Sequence, residues 1–417
     1  MSSIYKENIM NIFVIHAHTA NRGDEAAVKA MIDEILRAKP DTKITIAING
    51  DTFYPAMDKR VTQIGRFPKP HSVLARIEYP IFMKSSGKIC CTNTAKKFKK
   101  ALKEADLVVH APGGPSIGDI YINAEKAYLD RLELAQKFKK KYMFYAPSMG
   151  PFNNDERNIR RRKILLGAEK VILRDPISFG FVKEFCPECH PVLALDSAFQ
   201  HEVDTSLNES KLHGYTELYD FMNKHEKNIG ITITDLKWHP KYGKTKVYEQ
   251  IRKTFEEFVT FLDTNGYGII FIPQLYGSGN DSDLMSEFST GGNGFVMEAN
   301  SDIYDTYFQQ YVIGKLYAVV GMRYHSNIFS AKMGTPFVSI SYEQKMKGFM
   351  EKMGLPQYCI PVESLTESEL KSKFNDMVSA YEEYKNLLEN KHEEMLKQAY
   401  SSTEAVLKIL EENDRRS

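Results

Sequence analysis

Short apolar runs that alternate with segments of helical periodicity restrict this chain to a narrow set of folds. Asn11–His16 (NIFVIH) reads as a buried strand, and Ala27, Met31, Ile32, Ile35 and Leu36 then recur at helical spacing. Lys43–Ile48 (KITIAI) is a second strand. A helix through Lys96–Lys103, a strand Asp106–Ala111 (DLVVHA) and a helix over 123–138 follow, then apolar runs at Tyr142–Pro147, Val171–Asp175 and Pro191–Leu195. Strands separated by helices of this length build βαβ units on a parallel sheet. Between Asp196 and Lys227 the sequence turns polar and irregular. The pattern then restarts with Asn228–Thr234, a helix over 247–262, Gly268–Gln274, Gly294–Glu298, a helix over 303–313, Tyr317–Gly321 and Phe337–Tyr342.

Two such arrays predict an α/β protein with two Rossmann-like domains, their parallel sheets facing across a cleft. The expected boundaries are 1–200 and 201–365, with a charged helical segment over 366–417 that braces the first domain. A length of 417 residues agrees, being too great for one core. The formal charge of +1 supplies no overall field for nucleic acid. No apolar run approaches the roughly 18 residues of a membrane span. The opening MSSIYKENIM lacks the basic-then-apolar layout of a secretory leader, so the expected compartment is the cytoplasm. Cys186 and Cys189 form CPECH, which matches a haem attachment string and half of a zinc site; without a second pair it reads as structural, and no metal is expected.

In open α/β sheets ligands bind beyond the carboxyl ends of the strands, so the loops after the apolar runs carry the chemistry. HTANRGDEA (His18–Ala26) has no G-x-G-x-x-G. Asp24 and Glu25 would repel a phosphate, so the loop suits sugar hydroxyls; alternatively Asp24 is only a helix cap. APGGPSIGD (Ala111–Asp119) offers adjacent glycines for a tight turn. In LRDPIS, Arg174 ends a strand and Pro176 starts a helix, the bland reading being an Arg174–Asp175 surface pair. Gln274 and Asp281, in PQLYGSGNDSD, are ligand-facing or ordinary turn residues. His16 and His18 alternate along the first strand, facing the cleft and the sheet edge.

GMRYHSN (Gly321–Asn327) has the makings of an anion site. Ser326 or Asn327 is placed to cap the following helix, whose positive end attracts an anion. Arg323 adds a planar fork for carboxylate or phosphate, and His325 a proton donor near working pH. Lys345, after the next strand, adds a further cation.

Taken together these loops resemble the polysaccharide pyruvyl transferase family. The matching strings are NRGDEA, APGGPSIGD, YAPSMGPF, LRDPIS, LALDSAF, FIPQLYG, GMRYHSNIFSAKMGTPFVSISY and KMKGFMEKMGL, in one order from about residue 11 to 355. Where the family's first motif often has a glycine before its asparagine, this chain has Ala20. The resemblance implies a GT-B-like fold and transfer of a carboxyethylidene group from phosphoenolpyruvate to a sugar, commonly the 4,6-diol of a hexose such as galactose. It implies Arg323, Arg174 and Lys345, with Ser326 and Asn327, at the donor, and His325 as general acid/base. Asn21, Asp24, Gly113, Gly114 and Asp119 would meet the acceptor, with Asp24 a second catalytic candidate. No cofactor is implied beyond the phosphoenolpyruvate donor substrate. The acceptor expected for a bacterial capsule or exopolysaccharide enzyme is a lipid-diphosphate-linked oligosaccharide. KKFKK (Lys96–Lys100), KFKKK (Lys137–Lys141) and RRRK (Arg160–Lys163) could then meet a membrane surface, or be solvated helix faces. Two alternatives share the fold: a glycosyltransferase using a nucleotide sugar, and a non-catalytic glycan-binding protein.

Overall fold

The computed structural model describes residues 9–55, 57–68, 72–276, 280–289, 294–299 and 303–415. The opening MSSIYKEN and residues 277–279 of PQLYGSGNDSD, both read above, lie outside them. Two compact units form: one from residues up to Ala20, Ala27–His201 and Lys397 onward, the other from Asn21–Ala26 and Glu202–Leu396.

The strands of the first unit are β1 (Asn11–Ala17), β2 (Lys43–Ile48), β3 (Val61–Ile64), β4 (Leu107–His110), β5 (Gly113–Ile117), β6 (Tyr142–Phe144), β7 (Pro147–Met149), β8 (Lys170–Leu173) and β9 (Val192–Leu193). Seven make one parallel sheet in the order β3-β2-β1-β4-β6-β8-β9, with Ile12 level with Ile44 on one side and Leu107 on the other. Helices cover both faces, which is why the central strands are continuous apolar runs rather than alternating ones. They are α1 (Arg22–Ala38), α2 (Val73–Lys84), α3 (Asn93–Glu104), α4 (Ile122–Lys137), α5 (Asp155–Leu166) and α6 (Pro176–Phe185). Asp175 caps α6 by accepting from Ser178 N–H, and Pro176 takes the first helical position, where no N–H is needed.

Two expectations are corrected here. The glycine-rich stretch after β4 is not a loop: Gly113–Ile117 pairs in parallel with β7 as a separate two-stranded sheet. The run from Tyr142 to Pro147 is two strands, broken where Ala146 takes a positive φ of 51° and turns the chain from β6 into β7.

The polar stretch before the second array is also not irregular. It forms α7 (Thr205–Gly214), capped by Asp204, and α8 (Thr216–Asn223). Strands β10 (Asn228–Thr232), β11 (Gly268–Phe271), β12 (Gly294–Val296), β13 (Ala318–Gly321), β14 (Phe337–Ser341) and β15 (Cys359–Pro361) make a parallel sheet in the order β12-β11-β10-β13-β14-β15. Helices α9 (Val247–Thr264), α10 (Asp281–Ser286), α11 (Thr306–Gly314), α12 (Tyr324–Lys332), α13 (Gln344–Met353) and α14 (Glu367–Ser379) accompany it.

The last helix, α15 (Tyr381–Asp414), belongs to the second unit through Leu396 and to the first from Lys397. In the first unit Val406, Ile409 and Leu410 enter the cluster around Met10, Val28 and Ile32, and Tyr145 shares a 2.6 Å hydrogen bond with Thr403. Among the described residues, no helix is long and apolar enough to cross a membrane. Because Leu410 is wholly buried, Leu410→Ala should cost about 2–5 kcal/mol of unfolding free energy, read from urea denaturation.

Candidate functional site

In the second unit the carboxyl ends of β10 and β13 are locked together by one hydroxyl. Thr232 Oγ1 accepts from the N–H groups of Met322 and Arg323 at 3.0 and 3.2 Å, and shares a 2.8 Å hydrogen bond with Ser326 Oγ. Arg323 is therefore held extended as the residue before α12. Its Nε donates to Asp281 at 3.2 Å and its Nη2 to the other carboxylate oxygen, a bidentate pair that is almost wholly buried. Asp281 in turn accepts from the N–H groups of Gln274 and Leu275 at 3.1 and 2.9 Å, so it ties the loop after β11 to the arginine. Burial opposes the Arg323 charge, but Asp281 and Tyr342 outweigh it and raise its pKa. The Trp238 ring, the only tryptophan in the chain, lies 5.8 Å from the guanidinium.

Sequence reasoning placed the helix cap at Ser326 or Asn327. The helix instead starts at Tyr324, and both residues are wholly buried inside it: Ser326 bonds back to the Arg323 carbonyl at 2.6 Å, and Asn327 donates to Ser339 Oγ at 2.7 Å. They shape the site rather than line it. His325 falls in the first turn of α12, 6% exposed. Lys345 lies in the first turn of α13, paired with Glu343 at 2.6 Å and 5.4 Å from the Tyr324 ring.

The segment Asn21–Ala26 also belongs to this second unit, and each letter of NRGDEA acquires a physical reason. Asn21 Oδ1 accepts from Gly23 N–H at 2.8 Å and Asp24 N–H at 3.3 Å, making Asn21 the cap in place of Asp24. Arg22 is buried, paired with Glu25 at 2.7 Å and 4.6 Å over the Tyr276 ring; its N–H donates to the Gln274 carbonyl at 2.8 Å. Glu25 accepts from Thr306 N–H at 3.2 Å, while Thr306 Oγ1 donates to the Arg22 carbonyl at 2.8 Å. These bonds press Gly23 against the imidazole: a Cβ there would fall 1.9 Å from His325 Nδ1. Only glycine fits. Asp24, partly buried, stands one residue away in the same turn.

The other sequence-predicted residues belong to the first unit. Arg174 is not in a surface pair with Asp175: it is buried, donating to Asp196 at 2.6 Å and Ser148 at 3.0 Å. Asp175 instead caps α6. Asp119 holds Arg161 at 2.8 Å and accepts from Asn153 N–H at 2.6 Å. Gly113 and Gly114 open β5. Ala20 takes a positive φ of 64°, the left-handed region that favours glycine. His16 faces no cleft: it is 1% exposed, its ring 4.5 Å from that of His110 and 4.6 Å from Tyr128. His18 stands 2.9 Å from the Tyr128 hydroxyl. In RRRK, Arg160 pairs with Glu133 and Asp130, Arg161 with Glu125, and Arg162 with Glu188, so that cluster is largely neutralised. All five cysteines are free.

With this geometry established, comparison with known proteins becomes informative. The family model described as polysaccharide pyruvyl transferase matches residues 21–344, from the Asn21 cap to the first residue of α13. This chain belongs to the polysaccharide pyruvyl transferase family. Amylovoran biosynthesis protein AmsJ of Erwinia amylovora is 24% identical over 403 residues, spanning 90% of this chain and 93% of its own. The UDP-GlcNAc 2-epimerase of Neisseria meningitidis, bound to UDP-GlcNAc, superposes with a TM-score of 0.58 at 13% identity, over 97% of this chain and all (100%) of that one. A glycosyltransferase of Rickettsia africae gives 0.57 at 13% identity, covering 98% and 100%. At such identities these likenesses show the fold, a GT-B-like pair of parallel-sheet units.

Two outcomes are expected of this chain. Gly23→Ala should displace the His325 ring, moving its imidazole NMR resonances while leaving the thermal unfolding midpoint within a few degrees. Burial pushes the His110 pKa from 6.5 down to about 4, and that of His16 well below its usual value. Between those limits the unfolded chain binds the protons that the folded chain refuses, so stability should fall as pH drops from 6.5 towards 4. Denaturant midpoints measured across this range should show that slope, and His110→Phe should flatten it.

Proposed function

We propose that this pyruvyl transferase moves a carboxyethylidene group from phosphoenolpyruvate to a pair of sugar hydroxyls, the 4,6-diol of a hexose such as galactose, in bacterial capsular or exopolysaccharide biosynthesis. The acceptor is a lipid-diphosphate-linked oligosaccharide, and the reaction belongs to the cytoplasm. The observation that carries this reading is the pairing of Arg323 and His325 at the positive end of α12, in a chain whose family is defined by pyruvyl transfer.

Phosphoenolpyruvate carries a carboxylate and a phosphate, and needs cations that do not move. Arg323 suits this because Asp281 fixes the plane of its guanidinium, and Lys345 offers a second charge from α13. The chemistry balances without a co-reactant. His325 delivers a proton to the methylene carbon, and the first hydroxyl oxygen bonds to C2. The C2–O bond to phosphate then breaks, and the neighbouring hydroxyl oxygen closes the ketal. Of the two hydroxyl protons, one ends on the new methyl group and the other on the departing phosphate. A positioned acid/base of this kind contributes about 10²–10⁴-fold. Asn21 and Asp24 belong to the turn that abuts His325, where a carboxylate can orient an acceptor hydroxyl.

Phosphate release from phosphoenolpyruvate across galactosides, glucosides and N-acetylmannosaminides tests the reading. His325→Ala should lower turnover about 10²-fold or more with the fold intact. Arg323→Ala should weaken apparent phosphoenolpyruvate affinity roughly 10–100-fold. Because Trp238 is the only tryptophan and lies beside Arg323, its fluorescence reports donor binding directly. A response to uridine diphosphate but none to phosphoenolpyruvate would reassign the site to a nucleotide sugar.

A further inference from the structure

Helix α2 reverses the usual arrangement of a surface helix. Ala75, Glu78 and Phe82 face inward, while Val73, Leu74, Ile77 and Ile81 stand outside at 72%, 57%, 57% and 41% exposure. Their spacing puts all four on one face. Ile89, in the connection that follows the helix, is also 52% exposed. Single apolar side chains on a surface need no explanation, whereas a contiguous stripe marks a contact.

The charge around the stripe says what kind of contact. From Ser72 to Glu104 there are eight basic residues and two acidic ones, in a chain whose overall charge is +1. Of the two acids, Glu78 points inward, accepting the Thr92 N–H at 2.8 Å and so fixing the start of α3 to α2. Lys96, Lys99, Lys100 and Lys103 of α3 line a recess of about 350 Å³ with Cys90; Glu104, 3.9 Å from Lys100, is the acid on its wall. An aliphatic helix face beside a lysine-lined recess is complementary to the two layers of a bilayer surface, acyl chain and phosphate. A protein partner fits less well, because the stripe carries no Trp or Tyr anchor of the kind that concentrates interface energy.

We propose that α2 and α3 form a membrane-docking surface, with the stripe of Val73, Leu74, Ile77 and Ile81 entering the interfacial layer and the lysine recess seating the phosphate of an anionic lipid headgroup. This goes beyond the transfer reaction and is independent of which donor the enzyme uses.

Sedimentation of the full chain with phosphatidylcholine vesicles, with and without phosphatidylglycerol, tests the proposal. The wild type should partition onto the anionic vesicles, and the double variant I77E/I81E should lose about tenfold or more of that partitioning. The variant K96Q/K100Q/K103Q should lose most of the salt-sensitive part. All these side chains are exposed and outside the donor site, so phosphate release with a water-soluble acceptor should be unchanged in both variants. A wild type that stays in solution with either vesicle, or an I77E/I81E protein that binds as well as wild type, overturns the proposal. Light scattering that finds a dimer dissolved by I77E/I81E, without vesicle binding, overturns it too and gives the stripe to a second copy. Absence of phosphate release from all three proteins would instead sink the donor reading while leaving the vesicle result intact.

Discussion

The contact on which the site depends is between a glycine and an imidazole. His325 is placed by the backbone that precedes α12, but its ring is confined by Gly23, from a segment some three hundred residues earlier in the chain. That contact exists because Asn21 starts the helix, and because Arg22 and Glu25 bind the same turn to Gln274, Tyr276 and Thr306. Preorganisation is strongest when the supporting groups are themselves held, and here every support has a partner.

Much of the fold was legible because the central strands are covered on both faces. Asn11–Ala17, Lys43–Ile48 and Asn228–Thr232 are apolar runs that periodicity identifies within a residue or two. What stayed hidden lacked that signature. The strand Gly113–Ile117 contains two glycines and a proline, so local propensity argues for a turn, and only pairing with Pro147–Met149 makes it a strand. Helices α7 and α8 bury few residues, chiefly Leu212, Leu218 and Phe221, too sparse a pattern to stand out. Helix α2 was invisible for the opposite reason, since its apolar residues occupy both faces and blur the periodicity.

At the site, residue types were readable and partners were not. Arginine and histidine two apart after a strand singled out this turn. Nothing local indicated that Asp281 would grip Arg323 or that Asp196 would grip Arg174. Nor could spacing reveal that NRGDEA packs against His325; the available clue was a glycine inside a helix start, where alanine serves the helix better. The cap assignments failed because Ser, Asn and Asp compete for that role within a few residues, and geometry decides among them.

Among the described residues, Arg22 with Glu25, Arg174 with Asp196 and Arg323 with Asp281 are buried ion-pair couples, whereas Arg161 is shared between Glu125 and Asp119. Removing one member strands its partner's charge in low dielectric, at about 3–5 kcal/mol, a large share of what keeps a domain folded. Neither half of such a couple can drift by itself. Natural homologues should therefore keep each couple or exchange both members together, and a mutational library should recover viable exchanges as doubles far more often than as singles.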